Sequence, residues 1–324
     1  EYRPIHVSWS DDLGKTWTKP EATTPHLMNI APKLIVLENG VLACEYGRPG
    51  FHVVFSLDNG HTWQDRISFS DLTDDHITGQ FDMAKAGPNK LVAIGTEPRD
   101  WAINRELAAT YPETIVYTVG LHPNEVESDW ETNLENFKSL LFCNPAPVAV
   151  GEIGLDYFRL PQEEIKAAPL KDLQKTVFAS QLSMARKAGL PVVIHCRASF
   201  QDCVTLIDES GMNWGKVVFH CFSEGPEELK QLRARGGRAS FTGIITYGNA
   251  EEIRQAALTQ GLDALMLETD CPYLSPEPLR GKPNEPAYLR HTAAFCADLF
   301  DTDLETLSSR TTDNATAFYD LKKE

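Results

Sequence analysis

Long apolar runs, paired cysteines and basic residues are all scarce in this sequence of 324 residues. No run of about 18 apolar residues occurs, which argues against a membrane-spanning helix. The seven cysteines include no C-x-x-C pair, so we expect no zinc ribbon or disulfide framework, and a reducing, cytoplasmic location. The 30 Lys and Arg stand against 46 Asp and Glu, and a net charge of −16 argues against a broad basic surface that coats nucleic acid.

The pattern of predicted secondary structure changes at a junction that we place over residues 76–87. Before it, short β-rich runs alternate with turn residues, and five of the nine histidines lie in the first 80 residues. After it, apolar strand patterns alternate with helical patterns, which is typical of a parallel α/β fold. We therefore predict an all-β segment over residues 1–75 and an α/β domain over residues 88–324.

The all-β segment contains an internal repeat. Ser10–Trp17 and Ser56–Trp63 both read S-x-D-x-G-x-T-W, and they begin 46 residues apart. Asp and Gly suit a tight hairpin turn, and the Trp is placed to pack beneath that turn. A period of about 40–50 residues is that of a four-stranded propeller blade. The repeat resembles the Asp-box (BNR repeat) of sialidases, which implies a partial sialidase-like β-propeller in this segment.

The α/β domain contains seven strand patterns, most of them followed by a helical pattern. This alternation predicts a TIM-type (β/α)8 barrel that is incomplete, with seven strands recognised. Two helices have clear end signals, since Thr176–Ala188 stops at Gly189 and Asn249 with Glu252 forms a capping box for Ala250–Thr259. The predicted strands are Lys90–Gly95, Ile115–Gly120, Val148–Glu152, Val192–His195, Val217–His220, Arg238–Phe241 and Ala264–Glu268.

Four polar residues end or closely follow strand patterns of this domain: Glu152, His195, His220 and Asp270. Catalytic groups of such barrels gather at the carboxyl ends of the strands, so these four distant residues should converge. Imidazole and carboxylate groups together suit a divalent metal ion such as Zn²⁺, Mn²⁺ or Mg²⁺. Burying the carboxylates together without a cation would be costly, so the four residues form the predicted metal site.

Six motifs follow one another in the α/β domain. They are Gly120–Pro123 (GLHP), Gly151–Tyr157 (GEIGLDY), Ile194–Arg197 (IHCR), Phe219–Ser223 (FHCFS), Leu267–Leu274 (LETDCPYL) and Arg280–Pro286 (RGKPNEP). Their order and spacing, over about residues 82–322, resemble the TatD family of metal-dependent hydrolases and deoxyribonucleases, which has an amidohydrolase-type barrel.

The resemblance implies a chemical role for each residue of the predicted metal site. Glu152 would bridge two divalent ions, and His195 and His220 would complete one ion site. Asp270 would serve the other site and accept a proton from metal-bound water. The reaction would be metal-assisted hydrolysis of phosphodiester bonds in DNA. The enzyme would remove nucleotides from one end of the strand.

Further residues near these motifs are expected to support the reaction. His122, Arg197 and Arg280 are the predicted substrate-binding residues, and the two arginines would hold phosphate oxygens through their forked donors. A salt bridge at the surface or barrel rim is the alternative for each arginine. Asp156 is expected to be a buried partner that orients the loop after Glu152. No membrane and no obligate protein partner are indicated.

One motif of the TatD family does not occur in this sequence. The first strand of the family ends in His-x-His, which gives two ligands to one metal site, and this chain contains no His-x-His. We therefore expect a barrel without its first strand and one ion held by Glu152, His195 and His220. Three hypotheses stay open: an impaired TatD-type deoxyribonuclease, a sialidase-like glycan hydrolase or binding module whose main part lies upstream, and an inactive fusion or chimeric fragment.

Overall fold

The computed structural model describes most of the chain from residue 90 onwards and separate stretches before it. The described residues are 6–8, 10, 16, 18–22, 33–36, 42–47, 51–58, 61, 63–70, 90–127 and 130–321. The predicted junction over residues 76–87 and most of the first repeat, Ser10–Trp17, lie outside the described residues. None of the described helices is long and apolar enough to cross a membrane.

The described part of the first 70 residues forms antiparallel sheets. Strands β1 (His6–Val7) and β2 (Glu21–Ala22) pair with each other. A second sheet has four strands, each paired with the next along the chain. Its strands are β3 (Lys33–Val36), β4 (Leu42–Gly47), β5 (Phe51–Ser56) and β6 (Gln64–Ser70).

The second copy of the repeat, Ser56–Trp63, connects β5 to β6, so the predicted hairpin is confirmed at this copy. Ser56 Oγ donates to Asp58 Oδ1 at 2.8 Å, and the Asp58 backbone N–H donates to Ser56 Oγ at 3.4 Å. Trp63 directly precedes β6 and is buried. A single four-stranded sheet does not support a propeller, and the sialidase-like interpretation stays a prediction.

The α/β domain is built on a parallel sheet of seven strands, and each strand pairs with the next one along the chain. The strands are β7 (Leu91–Ala93), β8 (Ile115–Val119), β9 (Ala149–Asp156), β10 (Val192–Arg197), β11 (Val217–Phe219), β12 (Arg238–Phe241) and β13 (Met266–Leu267). All seven predicted strands are present. The sheet curls into a half-barrel, and among the described residues β7 and β13 are not paired with each other.

Eight α-helices are described. They are α1 (Pro98–Thr110), α2 (Trp130–Leu140), α3 (Glu164–Ala188), α4 (Phe200–Ser210), α5 (Pro226–Arg235), α6 (Glu251–Gln260), α7 (Leu289–Leu299) and α8 (Leu304–Phe318). Helix α3 ends at Gly189, whose φ of 69° places it in the left-handed conformation, as predicted. The capping box predicted for α6 is wrong, because Ala250 is the N-cap and no side chain caps this helix.

Apolar side chains cover both faces of the parallel sheet. Along β10, Val192 and Ile194 belong to the large core that the strands share with the helices. Val193 points to the opposite, inner face, where it packs with Ala149, Val218, Met266 and Phe318 of α8. Because side chains alternate along a strand, the residue two positions after an inward apolar residue also faces inward. This alternation decides which polar side chains enter the barrel.

Candidate metal centre

Three polar side chains follow inward apolar residues at a spacing of two. His195 follows Val193, His220 follows Val218, and Glu268 follows Met266. Each lies at or just beyond the carboxyl end of its strand, where apolar packing gives way to polar groups.

Glycine allows β9 and β10 to approach closely beside this site. A Cβ atom on Gly154, which has a φ of +145°, would lie 2.0 Å from the carbonyl oxygen of His195. Gly154 and His195 are partners in the sheet register, so no other residue fits here without moving the backbone that carries His195.

Three histidines converge on one carboxylate oxygen of Glu152, which is 8% exposed. His195 Nδ1 and His220 Nε2 each lie 2.7 Å from Glu152 Oε1. His122 Nε2 lies 3.5 Å from the same oxygen. The structure therefore brings together Glu152, His195 and His220 from the sequence-predicted metal site, with His122 beside them.

Two further carboxylates hold the outer nitrogens of the two nearest histidines. Asp156 Oδ2 lies 3.2 Å from His195 Nε2, and Glu268 Oε2 lies 3.1 Å from His220 Nδ1. Each carboxylate can accept an N–H from its imidazole, so that with an ion bound His195 Nδ1 and His220 Nε2 would offer their lone pairs to it.

His122 has a different hydrogen-bonding arrangement. Its Nδ1 accepts the backbone N–H of Asn124 at 3.1 Å, so in the neutral imidazole the proton lies on Nε2. Nε2 is the atom that faces Glu152. Although one ligand atom each of His122, Glu152 and His195 lie within 4.8 Å of one another, this tautomer makes His122 a hydrogen-bond donor rather than a metal ligand.

The electrostatics of the cluster favour a positive charge at its centre. Burial opposes ionisation of Glu152, yet the charge of His220 and hydrogen bonds from His122, His195 and His220 hold the pKa of Glu152 well below its usual range. Burial likewise opposes protonation of His220, but Glu152 and Glu268 raise the pKa of His220 well above its usual range. A protonated imidazole or a divalent cation satisfies this requirement.

Asp270 lies beside this cluster without joining its hydrogen bonds. It follows β13 and has a φ of 54°, which turns the chain at this point. The pKa of Asp270 is raised to about 6, chiefly by burial; the charge of His220 opposes this rise, and the charges of Glu268 and Glu152 add to it. Within the described part of the chain, no protein group makes a hydrogen bond or ion pair with this carboxylate. A base for proton transfer needs such an unengaged carboxylate near the reacting atoms.

The two predicted phosphate-binding arginines lie at the same end of the strands. The Arg197 guanidinium carbon is 3.9 Å from the centroid of the Phe158 ring. The Arg280 guanidinium carbon is 4.0 Å from the Tyr247 ring centroid, and its Nη1 is 4.0 Å from Glu277 Oε1. Arg280 thus has the rim ion pair that the sequence left open as an alternative.

The sequence that builds this site matches a known protein family. The match is to the family described as TatD related DNase, over residues 67–320. The chain belongs to the TatD family. It is therefore a metal-dependent hydrolase, and the expectation that it is an enzyme is confirmed. The family match begins at residue 67, inside β6. The sequence motifs place the start of the resemblance later, at about residue 82.

Relatives and solved structures agree with this membership. The uncharacterized metal-dependent hydrolase YabD of Bacillus subtilis is 33% identical over 226 residues, which are 70% of this chain and 85% of YabD. The 3'-5' ssDNA/RNA exonuclease TatD of Escherichia fergusonii is 32% identical over 78% of this chain and 95% of its own. The crystal structure of YJJV, a TatD homologue from Escherichia coli K12, has a TM-score of 0.66 and 26% identity over 72% of this chain and 87% of YJJV.

The side chains of this TatD-family chain fit a divalent ion. Two imidazole nitrogens, one from His195 and one from His220, each lie 2.7 Å from the same buried carboxylate oxygen of Glu152. Nitrogen and oxygen donors of this kind suit zinc and manganese. The outer carboxylates fix the orientation of both rings, as is usual around protein-bound metals.

Three residues of this site, Glu268, Ser240 and Asn124, were not predicted from the sequence. Glu268 receives the backbone N–H of Cys221 at 2.7 Å and the hydroxyl of Ser240 at 2.5 Å, in addition to His220. The side-chain amide of Asn124 donates to Asp156 at 3.1 Å. The spacing of two between Met266 and Glu268 was a usable signal for Glu268. Ser240 and Asn124 had no comparable signal.

Proposed function

We propose that this TatD-family hydrolase cleaves phosphodiester bonds of single-stranded DNA or RNA from one end, as a deoxyribonuclease-type exonuclease. The observation that carries the proposal is the convergence of His195 and His220 on Glu152 at 2.7 Å each. The relative named 3'-5' ssDNA/RNA exonuclease, which aligns over 95% of its own length, supports the substrate class and the direction of cleavage.

Glu152, His195 and His220 would hold one divalent ion, through a carboxylate oxygen, Nδ1 and Nε2 respectively. When bound there, such an ion would supply Lewis-acid chemistry: it would polarise a phosphoryl oxygen and lower the pKa of a water. Since the sequence contains no His-x-His pair, we infer a single ion at this site and a barrel that lacks the family's first strand. A site with one ion would catalyse hydrolysis more slowly than a site with two ions, because one cation balances less of the charge that develops in the transition state.

The other side chains divide the remaining work of the reaction. Asp270 accepts the proton of the attacking water at its carboxylate, since no other described group engages that carboxylate. His122 donates its Nε2 proton to a phosphate oxygen, because its Nδ1 is already occupied by the Asn124 N–H. Arg197 and Arg280 bind further phosphate oxygens at the rim.

A cytoplasmic location agrees with this function and is part of the proposal. The six cysteines whose side chains are described are all free thiols, and two of them, Cys196 and Cys221, directly follow the histidines of the site. Free thiols beside a metal centre persist in a reducing compartment, where disulfides are rare.

Metal content and cleavage, measured on the same folded preparation, test the proposal. We expect about one ion per chain by elemental analysis after gel filtration, and shortening of a 5'-labelled single-stranded oligonucleotide with Mn²⁺ or Mg²⁺ added. His195→Ala should lose both the ion and the cleavage. His291→Ala, which removes a histidine on α7 outside the cluster, is the matched control and should keep both. A folded parent chain with neither metal nor cleavage would contradict the proposal.

A further inference from the structure

Phe158 is an exposed aromatic ring beside the metal centre. Its side chain is 65% exposed although it is large and apolar. The loop that carries it is fixed by Asp156, whose Oδ1 accepts the backbone N–H of Phe158 at 3.0 Å and that of Arg159 at 3.3 Å. The ring is thus presented by an ordered turn, and binding on it would not require the loop to be ordered first.

The Arg197 guanidinium lies over one face of the Phe158 ring, and the N–H donors at the edge of the guanidinium remain available. The guanidinium carbon lies 3.9 Å from the ring centroid. Within residues 90–127 and 130–321, no hydrogen bond or ion pair engages this guanidinium. A guanidinium that stacks through its face retains its in-plane N–H donors, which match phosphate oxygens.

Both residues lie close to the metal centre by strand register. Arg197 is two residues beyond His195 on β10, a distance of roughly 7 Å along a strand. Arg197 pairs with Asp156 of β9, and Asp156 touches His195 through its other oxygen at 3.2 Å. A substrate whose scissile phosphate lies at the metal site therefore brings its neighbouring nucleotide to Phe158 and Arg197.

The second arginine–aromatic pair at the rim, Arg280 with Tyr247, is engaged in contacts with the protein itself. Tyr247 is half-buried, and its hydroxyl donates to the carbonyl of Ser275 at 2.9 Å. Arg280 also forms an ion pair with Glu277. These contacts tie two loops together. Phe158 has no hydroxyl to anchor and leaves most of its surface to solvent.

We propose that Phe158 and Arg197 form a nucleotide subsite, in which the free face of Phe158 stacks on an unpaired nucleobase while Arg197 binds the adjoining phosphate. The inference rests on the proposed function and adds base recognition to it. An aromatic face accepts any base and requires that the base be unpaired or terminal. The subsite therefore selects single strands without selecting sequence.

Binding of two single-stranded oligonucleotides tests the subsite separately from cleavage. One probe carries all its bases, and the other has abasic tetrahydrofuran residues at its three terminal nucleotides. Fluorescence anisotropy is measured on Mn²⁺-loaded full-length chain in an Asp270→Asn background, which prevents cleavage. Phe158→Ala should weaken binding of the base-bearing probe roughly ten- to a hundredfold and of the abasic probe less than about twofold.

Matched variants separate stacking from general effects. Phe158→Trp should restore binding of the base-bearing probe, whereas Arg197→Gln should weaken binding of both probes. Phe142→Ala removes another exposed ring, 79% exposed and ahead of the opposite end of β9, and should change neither. Arg310→Gln removes one exposed positive charge on α8 and should also change neither beyond about twofold.

The outcomes distinguish the subsite from the hydrolase. Equal loss on both probes with Phe158→Ala, or no loss on either, overturns the subsite. If the parent chain still shortens the base-bearing probe in that case, the proposed function stands without it. A parent chain that binds neither probe and cleaves nothing overturns both.

Discussion

Glu268 holds His220 in one orientation, with 3.1 Å between Glu268 Oε2 and His220 Nδ1, while His220 Nε2 lies 2.7 Å from Glu152. The carboxylate accepts two further hydrogen bonds, from Cys221 and Ser240, so its own position is fixed. Glu268 therefore positions a metal-binding histidine and does not itself reach Glu152.

Glu268→Gln should weaken metal binding while the chain remains folded. An amide oxygen can still accept from Cys221, but the amide N–H₂ faces His220 Nδ1 and favours the tautomer whose Nε2 carries the proton. Loss of such an outer partner typically lowers metal affinity by about 10- to 100-fold. Calorimetric titration of the metal-free chain with Zn²⁺ measures this loss. Ser240→Ala, which removes only one hydrogen bond to Glu268, should have a smaller effect, and unchanged affinity in Glu268→Gln would contradict the assignment.

Asp156→Ala should destabilise the fold as well as the site. Asp156 is 1% exposed, and its oxygens accept from Phe158, Arg159 and Asn124 besides His195. Removing this buried carboxylate takes the acceptor away from three donors of the surrounding loops and from His195, so we expect a loss of about 3–5 kcal/mol in the free energy of unfolding. Urea unfolding monitored by circular dichroism checks this value. The control is Asp303→Ala at the exposed N-cap of α8, where a smaller loss is expected. Equal losses in the two variants would count against a central role for Asp156.

Gly154→Ala should disturb the backbone of β10 at His195. A Cβ would come within 2.0 Å of the His195 carbonyl oxygen at a φ of +145°, so one of the two strands must move. Gly189→Ala is the matched control, because Gly189 also has a positive φ, but a Cβ added there would have no heavy atom within 4 Å. We expect about 1–2 kcal/mol for the control and a clearly larger loss, with reduced metal content, for Gly154→Ala. Thermal unfolding and elemental analysis give the two readouts.

Strand positions were predictable from the sequence because a buried parallel strand is a short, continuous apolar run. Three of the predicted runs end at a polar residue, Glu152, His195 or His220, so these three could be named as candidates. Glu268 was missed because the residues that follow β13 contain two carboxylates, at 268 and 270. Strand alternation places Glu268 on the inner face, and the turn at Asp270, with its φ of 54°, could not be foreseen.

Local signals failed where tertiary packing decides the outcome. Asn249 is one residue too early to cap α6, and Ala250 takes the N-cap position while its N–H donates to the carbonyl of Tyr247. The Asp-box pattern predicted the β5–β6 hairpin correctly, since a turn depends on neighbouring residues. Membership of a propeller depends on contacts between distant sheets, which a 46-residue repeat does not specify.

Asp202 should make stability depend on pH in the acidic range. The Lys175 ammonium, 2.7 Å from Asp202 Oδ2, and the Tyr157 hydroxyl, also at 2.7 Å, lower the pKa of Asp202 against the opposing effect of burial. Because the pKa of Asp202 is lower in the folded chain than in the unfolded chain, its contribution is complete above about pH 4–5 and is lost as the pH falls through the folded-state pKa. Its size at neutral pH should be about 1 kcal/mol or less, since the Asp202 side chain is 39% exposed.

The measurement is urea unfolding of the parent and Asp202→Asn from pH 7 to pH 3. The difference in the free energy of unfolding should be largest near neutral pH and shrink below about pH 4. Tyr157→Phe, which keeps Lys175 but removes the hydroxyl donor, should shift the midpoint of this loss to higher pH. High salt should reduce the difference at neutral pH, because it screens the partly exposed Lys175–Asp202 pair. A difference that stays constant down to pH 3 would show that the carboxylate charge does not join α3 to α4.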